Sequence, residues 1–281
     1  MIRKHPTKCI VGACVRNCMP YLPATLQNIK RLEALFDEIY VVVAFDQSDD
    51  QSLDVLREHK PLFAHLDILV NPYPLSPMRT QRIADARNAI LEYTDALLSL
   101  DEYPFLIMMD MDDVCVAPLR VETIDRYIDR TDWDALSFNR AHYYDIWALS
   151  VDPYLVSCWH LSGDRNTSIE LIGRIQRHMV ERLRATPPDD LVEVYSAFAG
   201  LAIYRRAQFR ECCYTTDFPL NILTPEQFRK TQKTMSEWPF PNINVFDYTG
   251  IIRGDCEHRA FHFEAIAKHG AKIRVSPHTV F

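Results

Sequence analysis

The sequence predicts an α/β fold: a mostly parallel central sheet flanked by helices, with a smaller mixed region in the second half. Three observations predict it. Runs at 8–15, 38–45 and 104–109 are continuously apolar and of strand length. Stretches with apolar residues three and four apart separate them, which is helical spacing. The two kinds alternate along the chain, and continuous rather than alternating apolar strands belong to sheets covered on both faces.

Each element has its own signal. Residues 8–15 (KCIVGACV) form the first strand. Leu22, Leu26, Ile29, Leu32 and Leu35 place a helical stripe on 21–36. The β-branched and aromatic run 38–45 (EIYVVVAF) is a buried strand. Residues 50–60 are helical and 67–70 (DILV) form a short strand, after which Pro72, Pro74 and Pro77 break regular structure. A long helix at 80–99 leads to the strand 104–109 (PFLIMM). Beyond residue 120 the pattern is less regular. It gives a helix at 121–130, strands at 134–139 and 143–149, a helix at 166–185, a turn at 187–190 and one or two strands within 192–204. Residues 214–249, rich in Pro, Asn, Thr and aromatics, read as loop. A last helix spans 256–269 and a short strand 272–275. No repeat or linker divides the 281 residues, so a single domain is expected, with halves 1–120 and 121–281.

Composition narrows the function. The chain is 48% hydrophobic and 25% charged, enough apolar material for a large core. Its net charge of −7 argues against a general nucleic-acid binder. No apolar run is long enough for a membrane helix, and no signal peptide is read at the start, so a soluble, cytoplasmic protein is expected. The eight cysteines include no CxxC pair, and several lie in apolar runs as small hydrophobes, so a disulfide framework is not expected.

In parallel α/β sheets ligands bind beyond the carboxyl ends of the strands. The segments after each strand are therefore the place to look. After 104–109 comes Asp110-Met111-Asp112-Asp113, three carboxylates in four residues. In extended backbone Asp110 and Asp112 project to one side. Their repulsion is relieved by a divalent cation such as Mg²⁺ or Mn²⁺, which suits carboxylates plus phosphate oxygens. The bland alternative is an acidic turn. The helix start at 79–88 carries Arg79, Arg82 and Arg87. Cations are disfavoured there by the helix dipole, and a bound phosphate would resolve the conflict; pairing with Asp85 or another carboxylate is the alternative. Arg87, between Ile83 and Ile90 in helical spacing, borders the buried face. Arg16 and Asn17 follow the first strand and Asp46 the second, placed to read a base and ribose. Ser48, Asp49 and Asp50 serve equally well as caps of the next helix.

Two further clusters lie in the second half. Asp255, Glu257 and His258 open the last helix, where a carboxylate could act as a general base or a metal ligand, or Asp255 could simply cap the helix. In Tyr143-Tyr144-Asp145-Ile146-Trp147, strand alternation puts Tyr143, Asp145 and Trp147 on one face. An aromatic ring beside a carboxylate suits a sugar; a core strand is the alternative.

The ordered set Val15-Arg16-Asn17, the strand ending at Asp46, Arg82 to Asn88, Asp110-Met111-Asp112, Tyr144-Asp145-Ile146-Trp147, Gly200 to Tyr204 and Cys256-Glu257-His258 resembles nucleotide-sugar glycosyltransferases of the GT-A fold. More narrowly it is similar to a group that includes fungal capsule-associated mannosyltransferase-like proteins and related viral enzymes. The likeness covers residues 15–275. It implies a donor that is a nucleotide-diphosphate sugar, a glycan or glycoprotein acceptor, and a DxD motif whose Asp112 ligates Mn²⁺ or Mg²⁺ while Asp110 contacts ribose or a metal-bound water. It further implies that Arg16, Asn17, Asp46, Arg82 and Arg87 hold the nucleotide, and that Asp145 and Trp147 contact donor sugar or acceptor. His258 would bind metal or diphosphate. If the reaction inverts, Glu257 is the first candidate for the base and Asp255 the second. Two rivals remain at this level. A sugar-nucleotide nucleotidyltransferase would carry a glycine-rich phosphate loop after the first strand, and Ala13 to Asn17 holds no glycine. A non-catalytic carbohydrate-binding protein would bind sugar without metal or nucleotide.

Overall fold

The computed structural model describes residues 3–74, 76–162, 164–238 and 243–281. The parts of the expected loops 72–77 and 214–249 that fall on 75 and 239–242, and the first two residues, lie outside the described residues.

The N-terminal half follows the expected alternation. In order come β1 (His5–Val15), α1 (Leu22–Arg31), β2 (Phe36–Phe45), α2 (Ser52–His59), β3 (His65–Val70), α3 (Arg79–Leu97) and β4 (Phe105–Asp110). The second half adds α4 (Val121–Ile128), β5 (Ala135–Asn139), α5 (Arg165–Ala185), β6 (Val192–Glu193) and β7 (Leu201–Arg205). It ends with β8 (Phe218–Pro219), α6 (Pro225–Ser236), β9 (Ile251–Ile252), α7 (Glu257–His269) and β10 (Ile273–Thr279).

Eight strands form one sheet in the order β3-β2-β1-β4-β7-β5-β10-β6, and β8 and β9 form a small antiparallel pair. Neighbours β3, β2, β1 and β4 are parallel, as are β5 and β10; β7 runs against both β4 and β5, and β6 against β10. The expected mostly parallel, helix-covered sheet is therefore present. Its two faces bury two cores. Ile10, Val42 and Met108 join Ala84 and Ile90 of α3, Leu171 and Met179 of α5 and Phe261 of α7. Cys9, Val11 and Ala13 turn the other way, to Leu22, Leu26 and Ile29 of α1 and Ile124 and Tyr127 of α4. Period-two alternation along β1 thus feeds both layers, which is why the run reads as continuously apolar.

Two expectations fail. The segment 143–149 is not a strand. Tyr143 sits at φ 43, in the left-handed region, and the Asp145 carboxylate accepts from the Ala148 N–H, so the chain turns where alternation implied extension. Consequently Tyr143 is fully buried while Tyr144, expected on the opposite face from Asp145, faces the same cleft as Asp145 and Trp147. The loop expected over 214–249 contains α6. Thr224 and Gln227 form a reciprocal capping box and Pro225 occupies the first turn. The span 192–204 resolves into β6 and β7, with irregular chain between them. All eight cysteines are free thiols.

Candidate functional site

The topology fixes where a ligand can enter. From β1 the chain moves outward to β2 and β3, then α3 carries it back to β4 on the other side of β1. The order reverses between β1 and β4, and such switch points open a crevice at the strands' carboxyl ends. Cys14 of β1 and Asp110 of β4 pair there in register.

A cleft of about 490 Å³ occupies this position. Of the side chains to which the family resemblance assigns a role, all but Asp255 line it: Arg16, Asn17, Asp46, Arg82, Arg87, Asp110, Asp112, Asp145, Trp147, Glu257 and His258. Asn17, at φ 52, accepts from the Asp49 N–H, and its own N–H donates to Ser48 Oγ, so the loops after β1 and β2 brace each other. Asn71 donates to Asp46 at 2.9 Å and fixes that carboxylate at the β2 end. Asp50, one of the alternative caps, accepts from the backbone N–H groups of Ser52 and Met19.

Charge is concentrated at the floor. Arg87 of α3 is 5% exposed. Its guanidinium donates to Asp110 Oδ1 at 3.2 Å and to Glu257 Oε1, and lies 5.0 Å from the Phe198 ring and 5.6 Å from that of Tyr214. One cation thus ties the end of β4 to the start of α7. Burial pushes the Asp110 carboxyl up to about 7, against the pull of Arg87, and Asp112, Asp145 and Glu257 add to the rise. Burial likewise raises Asp145 to about 6, opposed by the Ala148 N–H and reinforced by Glu257. Asp112 is raised as well, mainly by burial. Carboxyls whose titration is moved toward neutral pH by burial in a cleft make it a candidate functional site.

Arg79 and Arg82 stand at the N-terminal end of α3, which has no acidic residue in its first turn and no side-chain cap. Arg82 Nη1 donates to the Ser76 carbonyl, and both arginines line the cleft at a helix start, a position that suits an anion. His258 is 1% exposed and stacks on Phe198 with ring centroids 4.0 Å apart. Its Nε2 makes no hydrogen bond but lies 3.9 Å from Glu257 Oε1, and Trp147 Nε1 makes no hydrogen bond either.

Among the described residues, no three His, Cys, Asp or Glu side chains are already gathered as a metal cluster. The donors nevertheless fit a hard divalent ion. Asp110 and Asp112 are carboxylates raised by burial and like charge, and the His258 Nε2 is buried and without a hydrogen bond at the same cleft.

Asp255 is placed elsewhere. It is 1% exposed, accepts from the Cys256 N–H at 2.8 Å and pairs with Arg259 at 2.8 Å. Arg259 also donates to the Leu149 and Leu155 carbonyls and to Ser150. Asp255 pairs with the arginine that anchors the loop carrying Asp145 and Trp147, and it is not among the residues that line the cleft.

Arg79, Tyr144 and Phe198 line the cleft as well. Arg79 was visible in the arginine cluster at the helix start and Tyr144 in the aromatic segment. Phe198 lies in the irregular chain between β6 and β7 and carries no local signal. Two residues on, Gly200 adopts φ +84 just before β7, and its carbonyl accepts from the Asp110 N–H at 2.8 Å. A Cβ there would lie 2.8 Å from Arg140 Nη2 and 2.9 Å from Cys115 Sγ. Gly200→Ala is expected to cost about 1–3 kcal/mol through left-handed strain and overpacking, read as a lower urea midpoint. An unchanged midpoint would show that the backbone relaxes there.

No family model matches the chain, and no curated protein sequence matches it. Solved structures with a related arrangement include the mannosyltransferase PcManGT of Pyrobaculum calidifontis in complex with GDP-Man and Mn²⁺, at 15% identity, TM-score 0.45, covering 75% of this chain and 48% of that one. S. aureus TarS 1–349 in complex with UDP-GlcNAc aligns at 15% identity and TM-score 0.49, over 96% of this chain and 56% of that one. Glucosyl-3-phosphoglycerate synthase of Mycobacterium tuberculosis with Mn²⁺, UDP-Glc and phosphoglyceric acid aligns at 14% identity and TM-score 0.40, over 73% and 58%. The chain spans about half the length of these solved chains. Among the described residues no helix is long and apolar enough to cross a membrane.

Proposed function

We propose that the chain is a metal-dependent glycosyltransferase that moves a sugar from a nucleoside-diphosphate sugar to a hydroxyl of a glycan or glycoprotein. One observation carries the reading: a switch-point cleft in which Asp110 and Asp112 face the arginines at the start of α3. Acidic and basic walls lining one cleft suit a cation and a diphosphate bound together. A sugar alone needs neither. In this reading 1–120 hold the nucleotide and 121–281 the acceptor side. The narrower likeness to capsule-associated and viral enzymes rests on the sequence motifs alone.

Arg16, Asn17 and Asp46 bind the nucleoside, and Arg79, Arg82 and Arg87 bind the diphosphate. Asp112 and Asp110, with His258, hold Mn²⁺ or Mg²⁺. When bound, the ion supplies Lewis-acid stabilisation of the leaving diphosphate. Asp145, Trp147 and Tyr144 position the sugars. In an inverting transfer the acceptor oxygen bonds to the anomeric carbon as that carbon's bond to the phosphate oxygen breaks. The electron pair leaves with the nucleoside diphosphate, and the hydroxyl proton passes to Glu257. Arg87 donates a hydrogen bond to that carboxylate and holds it in place.

Thermal-shift titration with a panel of UDP- and GDP-sugars, with Mn²⁺ and with chelator, tests this. At about a hundredfold excess over Kd, ligand stabilises by about 2.7 kcal/mol, and the shift is expected only with metal. Asp112→Ala is expected to remove the shift while the apo melting temperature holds. Equal shifts in chelator would refute the metal bridge, and sugar binding without nucleotide would favour a carbohydrate-binding protein.

A further inference from the structure

One of the chain's four tryptophans stands outside the cleft and has no role in the proposed function. Trp133 and Trp238 are buried, and Trp147 lines the cleft. Trp159 is 51% exposed. A lone exposed ring needs no explanation. This one leans on Trp147, with ring centroids 5.6 Å apart and planes meeting at 62°. The two indoles make one aromatic step that leads from the cleft wall to the surface beside it.

The step is mounted on fixed backbone. Cys158 before Trp159 and Leu161 two residues after it are at most 1% exposed. Cys158 Sγ lies 3.7 Å from the carbonyl oxygen of Ile146, in the loop that carries Trp147. Asn244 donates from Nδ2 to the His160 carbonyl at 2.8 Å, and from its backbone N–H to the Leu161 carbonyl at 2.9 Å. A ring held this way has little freedom left to lose when a ligand covers it.

The cleft limits what can reach the step. Its volume of about 490 Å³ suits one small ligand, and in the proposed function the nucleotide sugar takes it. An acceptor then lies across the mouth with one hydroxyl inside. Residues 157–162 (SCWHLS) hold no Lys, Arg, Asp or Glu to pair with a charged acceptor. A lipid would need a wider apolar face, and the residues flanking Trp159 are buried or polar. A sugar ring has a flat C–H face that one indole covers and a rim of hydroxyls that stays in water.

We propose that Trp147 and Trp159 together bind an acceptor of two or more neutral sugar units, the reacting unit at Trp147 and the next one stacked on Trp159. That this saccharide is an acceptor rests on the proposed transfer; the stacking itself does not.

A printed panel of neutral saccharides, one to six units long, probed with the full chain in Mn²⁺ and UDP, tests this. The wild type is expected to retain saccharides of two or more units better than single ones. Trp159→Ala is expected to weaken the longer ones by about tenfold more than the single ones. Trp159→Phe keeps a flat ring and is expected to restore part of the loss. Trp159→Leu keeps bulk against Trp147 without a flat ring, so it is expected to behave like Trp159→Ala, and it replaces that variant if Trp159→Ala does not fold. Binding restored by leucine, or losses equal for single and longer saccharides, would make Trp159 a mere prop for Trp147 and overturn the proposal. Retention of no member of the panel would overturn it too. Length-selective retention that depends on Trp159, in a protein that no nucleotide sugar stabilises, would uphold the stacking and count against the transferase reading instead.

Discussion

Arg87→Ala is expected to destabilise the fold by about 3–5 kcal/mol, the usual cost of removing one partner from a buried ion pair. The guanidinium is the shared partner of Asp110 and Glu257, and it packs between Phe198 and Tyr214. Without it two carboxylates, Glu257 buried and Asp110 partly so, face each other at the floor. Protonation of one would then be the cheapest escape, so the variant should recover part of its stability as the pH falls from 8 to 6. The sign follows from Asp110. Its carboxyl is already raised to about 7 with Arg87 present, and loss of the opposing cation moves it further up. A group raised in the folded state favours folding as it takes up its proton. Chemical denaturation across that pH range, wild type against variant, measures this. Arg87→Lys keeps a charge but not the fork that reaches both acids, so it should recover only part of the stability. A variant as stable as wild type at pH 8 would show that the floor holds water or protons that the ion pair does not need.

Much of this arrangement was legible in the sequence because strand ends are. Once 8–15, 38–45 and 104–109 read as parallel strands, Arg16, Asp46 and Asp110 had to emerge at one edge of the sheet. Arg87 was legible for the same kind of reason, since helical spacing from Ile83 and Ile90 put it on the inward face. What failed did so for local reasons. Alternation in 143–149 looked like a strand because periodicity cannot see Tyr143 in the left-handed region or Asp145 capping Ala148. Helix α6 was hidden by a loop-like composition, although Thr224, Pro225 and Gln227 spell a helix start. Phe198 could not be found because only the fold brings the chain before β7 over Arg87. The Asp255–Arg259 pair was readable, being four residues apart on a helix start, but a carboxylate beside Glu257 and His258 drew a chemical reading first.

These placements separate chemistry from architecture in one short segment. The cleft needs a rigid floor and a loop carrying Asp145 and Trp147 in register with it. The floor is held by Arg87 from α3, and the loop by Arg259 from α7 through the Leu149 and Leu155 carbonyls. Both arginines answer to acids within three residues of each other, Glu257 and Asp255. The same helix start therefore serves the cleft on one side and the scaffold on the other.

Asp255→Asn and Glu257→Gln are accordingly expected to fail in opposite ways. Asp255→Asn leaves the fully buried Arg259 without its counter-charge and should cost about 3–5 kcal/mol of stability. Transfer by the folded fraction should fall little, because Asp255 does not line the cleft. Glu257→Gln keeps shape and still offers Arg87 an oxygen, so its melting temperature should change much less. It removes the proton acceptor, and loss of a general base costs about 10²–10⁴-fold in rate. Donor binding, which uses other residues, should survive in Glu257→Gln. Three measurements on each variant decide it: unfolding midpoint, donor Kd with Mn²⁺, and single-turnover transfer from the best donor of the panel. If Asp255→Asn lost transfer at unchanged stability, the roles of the two acids would have to be exchanged. If Glu257→Gln transferred at the wild-type rate, the acceptor proton would have to leave by another route, and Asp145, a cleft carboxyl raised to about 6, would be the next residue to replace.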